Sequence, residues 1–179
     1  AQRVSCSDRT LLHMNHQTNQ TPAFVYDERQ LEHSIARVQA LAYESDCKLL
    51  YSPKACAVPG VLKSLANHVD GYSCSSLFEA HLVLEVLGYR SSVHLTTPGI
   101  SPHQIDEIRT IFDTVVLNSL SQWARFREKF EDKVDLGLRI NPQISFAEDP
   151  RYDPCREYSK LGVHLDQLAD QFDKSPQTF

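Results

Sequence analysis

A repeat of strand-like and helix-like segments constrains the fold of this chain more than any other feature of its sequence. Apolar runs typical of buried β-strands start at residues 48, 71, 92, 114 and 135, so successive starts lie 21 to 23 residues apart. The stretches between them carry apolar residues at helical spacing on one face. Such alternation predicts parallel strands joined by right-handed crossovers, which is an α/β fold.

Each repeat unit can be assigned to particular residues. The five predicted strands are Lys48–Ser52, Gly71–Ser75, Ser92–Thr97, Thr114–Ser119 and Asp135–Asn141, and a further short strand, Thr21–Asp27, is predicted before them. The predicted helical stripes are Leu31, Ile35, Val38 and Leu41; Val61, Leu65 and Val69; Leu77, Ala80, Leu84 and Leu87; Ile105 and Ile108; and Leu120, Trp123, Ala124 and Phe130. We expect Gly88 to end the third helix, and Ser101 with Pro102 to begin the fourth.

Two architectures have parallel strands connected in this way, a doubly wound sheet and a (β/α)8 barrel. The six glycines are scattered singly, and no GxGxxG or Walker loop can be written, which disfavours a doubly wound nucleotide-binding fold. A complete barrel needs about 250 residues. The chain has 179 residues and supplies five clear units. We therefore predict the N-terminal portion of a TIM-type (β/α) barrel over residues 21–179, preceded by a mobile polar arm over residues 1–20.

Charge and composition exclude several classes of protein. A formal net charge of -5 disfavours a general nucleic-acid binder. No apolar run approaches the roughly 20 residues that cross a bilayer, and the N-terminus shows no signal-peptide core, so we expect a cytoplasmic protein. The five cysteines and eight histidines show no CxxC, zinc or HExxH spacing. We predict reduced thiols and no metal site.

Polar side chains follow the predicted strands, where the active-site mouth of a barrel forms. These residues are Lys54, Ser73 to Ser76, Thr96, Thr97, Asn118, Ser119, Arg139 and Asn141. The serines and threonines are explained equally well as caps of the following helices. Lys54 and Arg139 favour function, because a lysine held at the end of a buried strand can form a Schiff base with a carbonyl compound or with pyridoxal phosphate. An ordinary surface lysine is the alternative.

Several segments resemble, in the same order and at compatible spacing, the pyridoxal-phosphate decarboxylases of the alanine-racemase fold type, the group that contains ornithine and diaminopimelate decarboxylases. The segments similar to this group are TPAFVYD (entry strand), LYSPKACA (cofactor-lysine strand), GYSCSSLFEA (second strand with its glutamate) and LRINP (fifth strand). SSLFEAHL, VLNSLSQWARF and YDPCREYSKLGV are similar to the branch that acts on carboxynorspermidine and carboxyspermidine in polyamine biosynthesis. The resemblance covers the chain from Thr21 to Leu165.

The resemblance implies a cofactor, a set of site residues and a partner. It implies that Lys54 carries pyridoxal 5'-phosphate, and that Ser73, Glu79 and Arg139 belong to the cofactor site. Many members of the group have an aspartate where this chain has Ser73. The substrate-binding residues implied are Ser159, Lys160 and Gly162, in a loop near the mouth. The resemblance further implies a homodimer, and it places the phosphate-binding loops and a β-domain after Phe179, so we expect this chain alone to be inactive.

The function predicted is therefore that of a pyridoxal-phosphate-dependent carboxy-lyase acting on a small, polyamine-like amino acid, with no nucleic-acid or membrane partner. Two alternatives remain open: a non-catalytic homologue with a binding or regulatory role, and an amino-acid decarboxylase or racemase of the same fold. The acidic residues Glu148, Asp149 and Asp153 either attract a cationic substrate tail or form a solvated loop.

Overall fold

The structure, a computed structural model, describes residues 26–130 and 133–175. Its elements are α1 (Glu28–Glu44), β1 (Leu50–Tyr51), α2 (Pro59–Leu65), β2 (Gly71–Cys74), α3 (Leu77–Leu87), β3 (Val93–Thr96), α4 (Ile105–Ile111), β4 (Thr114–Leu117), α5 (Leu120–Phe130), β5 (Asp135–Leu138), β6 (Ile140–Asn141), β7 (Val163–His164) and α6 (Leu165–Lys174). The predicted arm over residues 1–20 and most of the predicted strand Thr21–Asp27 lie outside the described residues. Asp27 is the N-cap of α1 and accepts hydrogen bonds from the N–H groups of Arg29 and Gln30.

The five predicted strands form one parallel sheet in the order β1-β2-β3-β4-β5. Spatial order equals sequence order, so each helix crosses to the next strand on the same side of the sheet. A doubly wound sheet reverses its strand order part-way, and this sheet does not. The arrangement is the wall of a (β/α) barrel, and the predicted fold class is confirmed.

The hydrophobic core lies between this sheet and helices α2 to α5. Alternate residues of β2, β3 and β4 face the helices because side chains alternate along a strand. The core cluster comprises Leu62, Tyr72, Cys74, Ala80, Val83, Val93, Leu95, Ile105, Ile108, Phe112, Val115, Leu117, Phe126 and Phe130. The opposite face of the sheet carries the half-buried residues between them. In a barrel this second face is the interior.

The two helix boundaries predicted from glycine and proline are confirmed. Gly88 ends α3 with a φ of +70°, and its N–H donates to Leu84 O at 2.9 Å. Ser101 and Pro102 begin a short 3-10 turn that leads into α4, where the Gln104 side chain accepts a hydrogen bond from Ser101 N–H at 3.2 Å.

The predicted fifth strand, Asp135–Asn141, is too long. The chain changes partners at Arg139: its N–H donates to Leu117 O in β4, whereas its carbonyl accepts from Val163 N, both at 2.8 Å. β6 then pairs in parallel with β7 and leaves the main sheet. The sequence pattern continues through this bend because both segments are apolar.

Three features of the helices also differ from expectation. The apolar stripe of α1 is not buried, and Leu41 is 63% exposed. Val69 lies beyond the end of α2, although it still packs against the core. On α5 the buried residues are Phe126 and Phe130, of which Phe130 was predicted, whereas Ala124 is exposed. β7 and α6 were not predicted. No helix in the described part of the chain is long and apolar enough to cross a membrane.

Candidate active site at the carboxyl ends of the strands

The barrel-interior face of the sheet is polar. Register places Ser73, His94, Thr114 and Asp135 in one row across β2 to β5. Hydroxyl and imidazole groups in such a row can donate and accept hydrogen bonds. The row begins with Ser73, near the end of β2, and runs to the first residues of β4 and β5, so Ser73 is its member nearest the carboxyl ends of the strands.

Lys54 lies three residues beyond the end of β1. A turn over residues 53–55, closed by Ala55 N–H donating to Ser52 O at 3.0 Å, buries Pro53 and leaves the Lys54 side chain exposed. Lys54 makes no hydrogen bond or ion pair with any other described residue. Lys54 is therefore exposed within the described part of the chain, because this turn carries it beyond the end of β1.

Tyr51, which sequence reasoning missed, supports the chain next to this lysine. Its hydroxyl donates to Cys56 O at 3.0 Å, and its ring meets the ring of Tyr72 edge-on with centroids 6.3 Å apart. Tyr72 OH in turn donates to Leu62 O at 3.1 Å. Burial, and after it the neighbouring Cys56, raises the pKa of Tyr51, and burial is the main cause that raises the pKa of Tyr72 to about 12. Both phenols therefore stay protonated near neutrality and keep these donor roles.

Glu79 is engaged at the start of α3. Its two carboxylate oxygens accept from the N–H and the hydroxyl of Ser75, both at 2.8 Å, while its own N–H donates to Ser76 Oγ at 3.2 Å. Acidic side chains in the first turn stabilise a helix in this way. Glu79 thus fixes the turn that follows Ser73, and Ser73 itself is half-buried on the interior face. Burial, and after it the charge of Glu79, raises the pKa of Cys74 to about 12.

Arg139 and the predicted substrate loop come together. Gly162 lies against the backbone of residues 139–141: a Cβ added to it would stand 3.1 Å from Arg139 O and 2.9 Å from Asn141 N. Ser159 stabilises the same loop, since its hydroxyl donates to Pro154 O and accepts from Leu161 N–H. Lys160 is exposed. The Arg139 guanidinium has no hydrogen bond or ion pair with another described residue.

The three carboxylates of the acidic loop, at residues 148, 149 and 153, differ in their contacts. Asp149 is bound by Arg151 at 2.6 Å, and this pair holds the pKa of Asp149 below its usual value. Asp153 accepts from Cys155 N–H at 2.7 Å. These two carboxylates stabilise local turns. Glu148 is exposed and makes no such contact within the described residues.

The available groups fit an aldehyde cofactor carried by an amine. Lys54 offers an unengaged amine at the edge where the strands end, and primary amines condense with aldehydes. The Arg139 guanidinium, likewise unengaged among described residues, suits an anionic group. Ser73, near the end of β2, supplies a hydroxyl group on the interior face.

The fold is that of a (β/α)-barrel protein, in which Lys54 and Arg139 follow β1 and β5, the two outer strands of the described sheet. The family model described as "Pyridoxal-dependent decarboxylase, pyridoxal binding domain" matches residues 28–178. The chain belongs to this family, and its cofactor is pyridoxal phosphate.

Individual relatives agree with this assignment. The chain is 33% identical over 144 residues to a carboxynorspermidine/carboxyspermidine decarboxylase of Campylobacter jejuni, which covers 80% of this chain and 37% of the relative. It is 33% identical over 150 residues to a carboxyaminopropylagmatine decarboxylase of Synechocystis, covering 83% of this chain and 38% of the relative. A carboxynorspermidine/carboxyspermidine decarboxylase of Herminiimonas arsenicoxydans is 30% identical over 157 residues, covering 86% and 42%.

Solved structures show the same fold. The crystal structure of carboxynorspermidine decarboxylase from Campylobacter jejuni, complexed with norspermidine, matches with a TM-score of 0.72 and 28% identity, over 84% of this chain and 37% of that one. Diaminopimelate decarboxylase from Helicobacter pylori matches with a TM-score of 0.73 at 21% identity, over 90% and 42%. The chain spans about two fifths of the length of these relatives.

Proposed function

We propose that the protein containing this chain is a pyridoxal-phosphate-dependent carboxy-lyase that acts on carboxynorspermidine or carboxyspermidine in polyamine biosynthesis. One observation carries the proposal: a chain of the pyridoxal-binding decarboxylase family has an exposed lysine, Lys54, that lies three residues after β1 and makes no hydrogen bond or ion pair with another described residue. The names of two relatives at 30 to 33% identity support the choice of substrate.

The residues of this chain would have distinct tasks. Lys54 would hold the cofactor through its amine, and Ser73 and Arg139 would contact it from the interior face and the end of β5. Glu79 would act from the start of α3 by keeping the adjoining turn in place. When bound, pyridoxal phosphate supplies an electron sink for the pair left when a carboxylate departs as carbon dioxide.

The substrate loop would then orient the molecule to be decarboxylated. Gly162 lies against the backbone of Arg139, and Ser159 and Lys160 precede it in the same loop, so this region would offer cationic and hydrogen-bonding groups to a substrate carboxylate. The structure of a relative complexed with norspermidine supports a substrate with a cationic tail. Exposed Glu148 is the carboxylate of the acidic loop that remains available to such a tail.

We further propose a homodimer and a cytoplasmic location for the full-length protein. Both follow from the resemblance to decarboxylases whose active site is shared between subunits and whose substrates are small metabolites.

The test is an assay of the full-length protein loaded with pyridoxal phosphate. Release of carbon dioxide would be measured with carboxynorspermidine, carboxyspermidine, diaminopimelate and ornithine as substrates. We expect the first two to be preferred, and K54A to lower kcat by about 10³-fold or more. K63A, at an exposed lysine on α2, is the matched control and should leave kcat unchanged.

The other outcomes identify the alternatives. A preference for diaminopimelate or ornithine would contradict the proposed substrate. Racemisation without release of carbon dioxide would contradict the proposed reaction. Cofactor binding without either reaction would show the non-catalytic homologue.

A further inference from the structure

Asn118 is buried at the carboxyl end of β4, and its side chain does not cap the helix that follows. Its relative exposure is 7%, and it is one of two buried polar residues among those described. Its Nδ2 donates to Lys160 O at 2.8 Å, and its Oδ1 accepts from Gly162 N–H at 3.0 Å. Both ends of one amide therefore bind the predicted substrate loop, on either side of Leu161.

Gln122 holds the backbone of Asn118 through a hydrogen bond. Asn118 N–H donates to Gln122 Oε1 at 2.8 Å, and Gln122 Nε2 donates to Pro98 O at 2.9 Å. Pro98 belongs to the loop after β3. Asn118 thus joins the loop after β3, the start of α5 and the substrate loop at one point on the barrel mouth.

The held loop also contacts the strand that carries Arg139. Gly162 has a φ of +85°, and its Cα lies so close to residues 139–141 that a Cβ would overlap their backbone. The next residue, Val163, donates its N–H to Arg139 O at 2.8 Å. A shift of residues 160–162 would therefore also displace the backbone of Arg139.

We propose that Asn118 is a positioning residue: its buried amide sets the place of residues 160–162, and through Val163 that of Arg139, for substrate binding. This inference rests on the proposed function of the loop. Asn118 itself need not touch substrate or cofactor. Its effect appears in KM, because misplaced binding groups weaken the binding of substrate and transition state alike.

The experiment compares N118A with wild type in the full-length protein loaded with pyridoxal phosphate. We expect kcat/KM for carboxynorspermidine to fall about 10- to 100-fold, mainly through a higher KM, when both proteins are saturated with the cofactor. Hydrogen exchange of the peptide covering residues 159–162 should become faster, because the Gly162 N–H loses its acceptor. Exchange in β3 should not change.

Further variants complete the test. N118D keeps an acceptor for Gly162 N–H but places a buried carboxylate oxygen against Lys160 O, so we expect a loss of kcat/KM at least as large as in N118A. N118S, which keeps a small hydroxyl at this position, serves if N118A does not fold. R90A is the matched control. It also removes two hydrogen bonds, to Thr110 O and Asp113 Oδ1, but these lie at the amino ends of the strands, away from the substrate loop. It should leave kcat/KM unchanged.

The possible failures are distinguishable. Wild-type activity together with an unchanged kcat/KM or unchanged loop exchange in the Asn118 variants would overturn the positioning role and leave the proposed function standing. A wild-type protein that decarboxylates none of the four substrates would overturn the proposed function, and the positioning role with it.

Discussion

Gly162 illustrates, at the scale of the residue, a requirement that the sequence does not display. The resemblance predicts that this position belongs to the substrate loop, but the reason for a glycine there is the positive φ of +85° and the contact with the backbone of β6. Side chains are strained in that conformation. A lone glycine in a sequence does not distinguish this case from an ordinary turn.

Substitution of Gly162 by alanine is therefore expected to destabilise the protein by about 2 kcal/mol, from the left-handed backbone and the overlap with Asn141 N. Gly99 is the matched control, because a Cβ there would meet no atom within 4 Å. G99A should change the free energy of unfolding little. Urea unfolding of the full-length variants measures both; equal stability of G162A and wild type would contradict the conformation described.

Other residues of the site were predictable to different degrees. Lys54 and Arg139 could be singled out in the sequence as charged side chains that follow or end predicted strands and that match the family motifs, and their roles stay predictions. The hydrogen bonds of the Asn118 side chain could not be predicted, because its partners lie 42 and 44 residues further along the chain. A side chain that caps a local helix and one that holds a distant loop look the same in a sequence.

At the scale of the element, the strands of the sheet were predictable because buried parallel strands are short apolar runs at regular spacing. The bend at Arg139 was not, because it depends on pairing with β7, a strand of two residues. α6 does leave a signal, with Leu165, Leu168 and Phe172 at helical spacing. The missed signal is therefore α6, whereas the pairing of β6 with β7 could only come from the folded chain.

Asp113 joins several elements at the amino ends of the strands. Its carboxylate accepts from Val93 N–H at 2.9 Å and from Arg90 at 2.8 Å. Burial alone would raise the pKa of Asp113, but these hydrogen bonds and the charge of Arg90 outweigh it and hold the pKa below its usual value. A lowered pKa in the folded state contributes stability above the unfolded pKa of about 3.9. That contribution is lost as the pH falls toward the folded value.

We therefore expect D113N to lower the free energy of unfolding at neutral pH by about 1 kcal/mol, a value reduced by solvent screening of the partly exposed carboxylate. The difference from wild type should shrink as the pH is lowered below about 4. Urea unfolding over a pH series measures it. E157Q, at an exposed loop side chain that forms no hydrogen bond or ion pair with another described residue, should match wild type throughout; a D113N deficit that is independent of pH would contradict the role of the charge.

At the scale of the whole molecule, the two faces of the sheet have different tasks. One face packs against α2 to α5 and forms the hydrophobic core. The other face carries the polar row from Ser73 to Asp135. Mutations in the first should act on stability, and those in the second on ligand binding. The proposed function depends on Lys54, which follows β1 at the carboxyl ends of the strands.

The measurement that tests this most directly is reduction of the full-length, cofactor-loaded protein with borohydride, followed by digestion and mass spectrometry of the lysine-containing peptides. We predict that the reduced pyridoxyl group is found on Lys54, and that K54A retains none after the same treatment while K63A retains it. A pyridoxyl group on another lysine, or its absence from the wild-type protein after loading, would contradict the assignment.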